Sequence, residues 1–232
     1  MLDFEYSKVG EYWRLFASGF NFRRHMGALN SLESIEEFIV TRSAFIAQKT
    51  LYGYVKTRMG TKYPEMFRDD NIIRSVNIAK MHVFAACLSD FCIWAVATAC
   101  NGFDIDDSRR REIARGIYKR GLQANLDTTV EVFSTEDAIR AFAARTDAAD
   151  WAGTAQTRDN FTESPPTVVK WAPIADQLKQ YDVEYVENSV KFAWSNIRRQ
   201  FAKRLRRDQL TTDFGKPGDI GKPGDGGKGV NG

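Results

Sequence analysis

The chain has 232 residues, of which 43% are hydrophobic, 12% aromatic and 27% charged, enough apolar material for one sizeable core. Lys and Arg nearly balance Asp and Glu, for a net charge of +3, so bulk charge points to neither a nucleic-acid nor a membrane partner. Three cysteines, Cys87, Cys92 and Cys100, fall in one apolar stretch and form no disulfide framework. Met1, Leu2, Asp3, Phe4 and Glu5 lack the basic-then-apolar order of a signal peptide. Together these features predict a cytoplasmic protein.

In chain order, Tyr12, Trp13 and Phe16 suggest a short helix ending near Gly19, followed by a turn at Arg23, Arg24 and His25. Ser34 with Glu37 reads as a capping box, with Ser31 as the alternative earlier start. From there Ile35, Phe38, Ile39, Phe45, Ile46, Leu51, Tyr52 and Val55 carry an apolar face to Gly60. Gly53 costs this helix about 1 kcal/mol relative to Ala, which a close helix crossing would explain.

After Gly60 and Pro64, Asp69 or Asp70 caps a second long helix that reaches about Ala99 and stops at Asn101 and Gly102. A third helix starts at Asp107 or Ser108 and ends near Gly121. Thr128 to Phe133 has extended character, and a fourth helix runs from Ser134 to about Trp151. Thr154 to Pro173 carries Pro165, Pro166 and Pro173 and reads as a polar surface loop. Val186, Val190, Ala193, Ile197, Phe201 and Leu205 then form the apolar stripe of a final helix from Val183 to about Gln209. These elements predict an all-helical bundle over residues 1–210 with long antiparallel helices. Residues 211–232 form a Gly-rich, low-complexity segment with the compositional signature of a disordered tail.

Met81 to Cys100 is about the length of a membrane span. Asp90 stands at its centre, at a cost of about 3 kcal/mol on insertion scales, and a buried core helix explains the pattern without that penalty. A buried Asp90 requires a partner. If the first two long helices fold as a hairpin around the Gly60 turn, Arg42 falls opposite Leu88 to Asp90, and an Arg42–Asp90 ion pair is expected.

The motifs of common catalysts are missing. There is no Gly-x-Ser-x-Gly elbow, no Walker loop and no Gly-x-Gly-x-x-Gly fingerprint. Only two histidines occur, neither in a metal-binding pattern, so no cofactor or transition metal is implied. His82 and Ser89 lie two turns apart on one helix, roughly 10 Å, and cannot form a triad with Asp90 among themselves. Ser43 reads as a helix-packing serine. The last helix ends in Arg198, Arg199, Lys203, Arg204, Arg206 and Arg207, cations that complement the helix dipole and equally suit an anionic lipid surface, nucleic acid or an acidic partner. Aromatics are not interleaved with them as on a base-stacking platform, which argues against sequence-specific nucleic-acid recognition. The same sequence is compatible with an oligomer.

Three stretches, YWRLFASGFNFRRHMGAL, TLYGYVKTRMGTKYPEMF and NIAKMHVFAACLSD, together resemble a poorly characterised family of bacterial helical proteins. The resemblance covers the first 90 or so residues, and some members carry an esterase label. Two function classes follow. One is a non-catalytic interaction or assembly protein that binds through the basic C-terminal helix. The other, implied by the resemblance, is an esterase-type hydrolase with an unconventional site around Arg42, His82 and Asp90.

Overall fold

The computed structural model describes residues 27–127, 132–157, 161–210 and Phe214. The expected short helix around Tyr12, most of the extended segment after Thr128 and the Gly-rich tail lie outside these residues. The described chain is all-helical, as its periodicity predicts, with long antiparallel helices and no strand among the described residues.

Helix α1 spans Leu32–Met59. Ser31 is its cap, the earlier of the two candidate starts. Its Oγ accepts from the Ser34 amide at 3.2 Å, and the Ser34 hydroxyl accepts from the Ser31 amide at 3.1 Å. Gly60 ends the helix at φ +56°, a conformation that favours glycine. A short turn and helix α2 (Tyr63–Met66) lead to α3, Asp70–Cys100, where Asp69 accepts from the Asn71 amide at 2.8 Å. Helix α4 is Asp107–Ala124, capped by Asp106, and runs three residues past the expected stop at Gly121. Helix α5 is Thr135–Asp147, capped by Ser134. It ends short of Trp151 because Asp150 caps a new helix, α6 (Trp151–Gln156), accepting from the Gly153 amide at 2.9 Å.

The largest departure from the sequence reading is at residues 164–171. The predicted surface loop contains helix α7, Ser164–Trp171, with Ser164, Pro165, Val168 and Val169 buried. Prolines in a first turn lose nothing, because those amides have no intrahelical partner anyway. The short α8 (Asp176–Lys179) precedes α9, Val183–Arg204. Helix α9 stops before Gln209 because the Arg204 carbonyl and the Arg206 amide turn away to bond Leu29, at 2.9 and 3.0 Å. A 3-10 turn at Arg207–Gln209 follows.

Helix α3 is the hub of the bundle, packed against α1, α4, α6 and α7, while α9 closes over α7 and α1. It is the one described helix long and apolar enough to cross a membrane, and 89% of its most apolar window is buried inside the protein. An aromatic cluster of Phe38, Phe91, Trp94, Phe161, Trp194 and Phe201 joins α1, α3 and α9, with Phe161 and Trp194 centroids 4.7 Å apart. Cys87, Cys92 and Cys100 are buried free thiols of this core. Burial pushes all three thiols up, Cys100 to about 11, which keeps them protonated and unreactive. Further out, Tyr54 donates to Asp182 at 2.8 Å and Arg58 pairs with the same carboxylate, fastening the end of α1 to the start of α9.

The expected close crossing at Gly53 does not occur. A Cβ there would meet nothing within 4 Å, whereas at Gly121 it would lie 2.9 Å from Val40 Cγ2 and 3.0 Å from Leu88 Cδ2. At Gly121, on α4, the side chains of α1 and α3 leave no room for a Cβ. Gly121→Ala is therefore expected to lose about 1–3 kcal/mol through overpacking, and Gly53→Ala to gain about 0.5–1 kcal/mol of helix propensity. Denaturant midpoints of the two variants check this, and equal shifts in one direction would refute it.

Candidate functional site

The hairpin register is the one the sequence predicts, with the Ser43 hydroxyl donating to the Cys87 carbonyl at 3.4 Å as a helix-packing serine. The expected Arg42–Asp90 pair nevertheless gives way to another. Arg42 is one residue, about 100°, around α1 from Ser43, so its guanidinium turns from α3 toward α9. There it lies over the Phe38 ring at 5.2 Å, and Arg204 lies over the same ring at 5.7 Å. Burial lowers the Arg42 pKa, and the Arg204 charge lowers it further. A register fixes height along a helix pair and leaves azimuth undetermined.

Asp90 is fully buried and takes its partners from α5 and α7. Arg145 Nη2 donates to Oδ1 at 2.6 Å, and its Nη1 reaches the Ser89 hydroxyl at 2.7 Å. The Glu163 amide donates to Oδ1 at 3.2 Å, and the Ser164 amide to Oδ2 at 2.8 Å. The Ser164 hydroxyl donates to Oδ2 at 2.6 Å and accepts from Trp194 Nε1 at 2.9 Å. Glu163 offers no side-chain cap of its own. Asp90 thus caps α7 from another helix, a negative charge held at the positive end of the helix with a guanidinium alongside. Burial pushes its carboxyl above the usual carboxylate range, while Arg145 and the Ser164 bonds pull it back down.

His82 lies two turns from Asp90 on α3 and does not join it. Its ring stacks on Trp171 with centroids 3.4 Å apart, and Phe133 meets it edge-on at 5.1 Å. Among the described residues its buried Nε2 has no hydrogen-bond partner. Burial first and the Lys170 charge second hold its pKa at about 4, so the imidazole is neutral and apolar in role. Arg42, His82 and Asp90 therefore occupy three separate environments, and Asp90 and Ser164 are both closed to solvent. An open cleft of about 520 Å³ runs beside this network, between the start of α7 and α9, and shares with it Trp194 and Thr162, whose hydroxyl accepts from Arg145 Nη2 at 3.2 Å.

The six basic residues of α9 and its end divide by role. Arg198 lies over the Phe161 ring at 5.2 Å, and Arg204 over Phe38. Arg207 donates to the Thr98 carbonyl at 2.9 Å, capping the negative end of α3, and Arg206 folds back on the Lys203 carbonyl at 3.0 Å. Arg199 and Lys203 project from the outer face of α9 into solvent. That face also carries Tyr185 and Phe192, 71% and 78% exposed, with Tyr181 just before the helix at 78%. Sequence reasoning overlooked this row because it followed the buried stripe. The signal was the seven-residue step from Tyr185 to Phe192 to Arg199.

Comparison with protein-family models, curated proteins and solved structures finds no match to this chain.

Two predictions follow from the buried network and from His82. Asp90→Asn, which sets an amide donor against the donors of Arg145 and Ser164, is expected to cost about 3 kcal/mol in denaturant unfolding. An unchanged midpoint would refute the role given to Asp90. For His82, the folded pKa lies below the unfolded value of about 6.5, so the unfolded state takes up the proton first. Its share of stability is complete above about pH 6.5 and is lost as pH falls toward 4. His82→Phe is expected to flatten that part of the stability-against-pH curve, and a curve superimposable on that of the parent protein would contradict the assignment.

Proposed function

We propose that this is a non-catalytic helical interaction protein that docks an acidic partner or an anionic surface through the outer face of α9. The observation that carries this reading is the division of its basic residues. Arg204, Arg206 and Arg207 are engaged with Phe38, the Lys203 carbonyl and the end of α3, and Arg198 with Phe161. Arg199 and Lys203 make no hydrogen bond or ion pair among the described residues, and they stand one turn apart on one exposed face. Two aligned cations beside exposed aromatics are a poor solution to folding and a good one to recognition.

The buried polar groups support the same reading from the other side. A nucleophile and its base must reach a substrate, and the Ser164–Asp90 pair lies wholly inside the bundle. Its bonds are used to cap a helix.

The test is a charge reversal that leaves the core untouched. Arg199→Glu with Lys203→Glu is expected to weaken binding to a polyglutamate peptide or to phosphatidylserine vesicles by at least about tenfold. Binding by the parent protein is expected to fall between about 50 and about 200 mM salt. Parent protein that binds neither probe, or a variant that binds as well as the parent, would overturn the proposal.

A further inference from the structure

Read from Phe192 outward, the exposed face of α9 is complementary to itself. Seven residues before Phe192 stands Tyr185, and seven after it Arg199; four before it stands Asn188, and four after it Asn196. Eleven before it is Tyr181, in the turn two residues ahead of the helix, and eleven after it Lys203. Every one of these residues is exposed. One end of the row is aromatic and the other cationic, with an amide on each side of the centre.

We infer that α9 pairs with α9 of a second copy of this chain, antiparallel, on a two-fold axis through Phe192. This rests on the reading of α9 as an interaction surface and assigns that face a further occupant, a second copy of the chain. A closed two-fold interface requires that if residue i meets residue j, then j also meets i. Antiparallel pairing about Phe192 meets that requirement along the whole row. Tyr185 of each copy faces Arg199 of the other, Tyr181 faces Lys203, Asn188 faces Asn196, and the two Phe192 rings meet on the axis. Cations over aromatic rings and amide against amide are attractive pairs, and no like charges oppose one another along this row. A parallel arrangement would instead stack Arg199 on Arg199 and Lys203 on Lys203.

Over the 21 Å or so from Tyr185 to Arg199 the seven-residue spacing drifts by only about 20° per heptad, so the row stays on one side of the helix. The three aromatics, at about 200 Å² each and more than two-thirds exposed, offer a pair of copies roughly 900 Å² before the flanking residues are counted. That approaches the 1,200 Å² or so of a specific interface. The same pairing engages Arg199 and Lys203, so an acidic partner and a second copy compete for one surface.

Sedimentation of the full chain across concentration, combined with cysteine cross-linking, tests the inference. Phe192→Cys is expected to give a disulfide-linked dimer on mild oxidation, because a residue on the axis meets its own copy. Arg199→Cys is expected to give none, since its symmetry mate lies about 21 Å away along the axis, beyond disulfide reach. The native cysteines are buried and do not interfere. Phe192→Asp is expected to raise the dimer dissociation constant by at least about 100-fold by setting two carboxylates face to face. A parent protein that stays monomeric at all concentrations would overturn the inference, as would a dimer that is indifferent to Phe192→Asp or cross-links equally well through residue 199. Polyglutamate binding by the Phe192→Asp protein separates the two readings. Salt-sensitive binding by a monomer would leave the interaction surface standing and remove only the second copy, whereas no binding and no dimer would remove both.

Discussion

A carboxylate sealed in the middle of an apolar helix has to be answered by charge and by hydrogen bonds, or the helix cannot be buried at all. In this protein the answer comes from three directions. Arg145 reaches in from α5, the amides of Glu163 and Ser164 present the open end of α7, and the Ser164 hydroxyl links the carboxylate to Trp194 on α9. Four helices are brought together at one carboxylate. The central position of α3 and the packing of α7 into what looks in sequence like a loop both depend on it.

Much of this architecture is legible in the chain because local rules and global packing agree. The starts of α3 and α5 are marked by Asp69 and Ser134, whose side chains accept from the amides a helix leaves open. Helix α4 begins at Asp107, one of its two expected starts, behind a cap, Asp106, that sequence reasoning did not single out. The hairpin register follows from the turn at Gly60 and is borne out by Ser43 and Cys87. Asp90 announces itself as a buried acid in need of a partner. The identity of that partner is a different kind of question. Arg42 has the right height and the wrong azimuth, and Arg145 lies 55 positions away on a helix whose docking no local pattern fixes. The one hint is its place beside Phe142 and Thr146, on the buried edge of α5.

Helix α7 was illegible for a related reason. Pro165 and Pro166 mark a break in most settings, and the segment before them is polar. Its cap, the feature that would have identified it, belongs to residue 90 and not to the residues just upstream. Only Val168, Val169 and Ala172 hinted that this stretch has an inner side. Similarly, the stripe of Val186, Val190, Ile197 and Phe201 identifies α9 as amphipathic, yet says nothing of the opposite face. There Tyr185, Phe192, Arg199 and Lys203 are left outside by the fold itself, and a basic helix end that looked uniform separates into structural and exposed members.

The borrowed cap on α7 also bears on how the chain acquires its structure. Eight residues are too few to hold a helix alone, since nucleation costs more than so few bonds return. The group that would offset that cost exists only once α3 is seated and Arg145 has neutralised it. Helix α7 is therefore a dependent element, present when the bundle is assembled and absent when it is not. Because α9 rests on α7 and shares Ser164 with it through Trp194, that side of α9 shares the dependence, while its other side is held by α1. Opening the bundle at Asp90 therefore loosens α7 and the face of α9 that rests on it, so order along α9 reports on a charge buried two helices away, on α3.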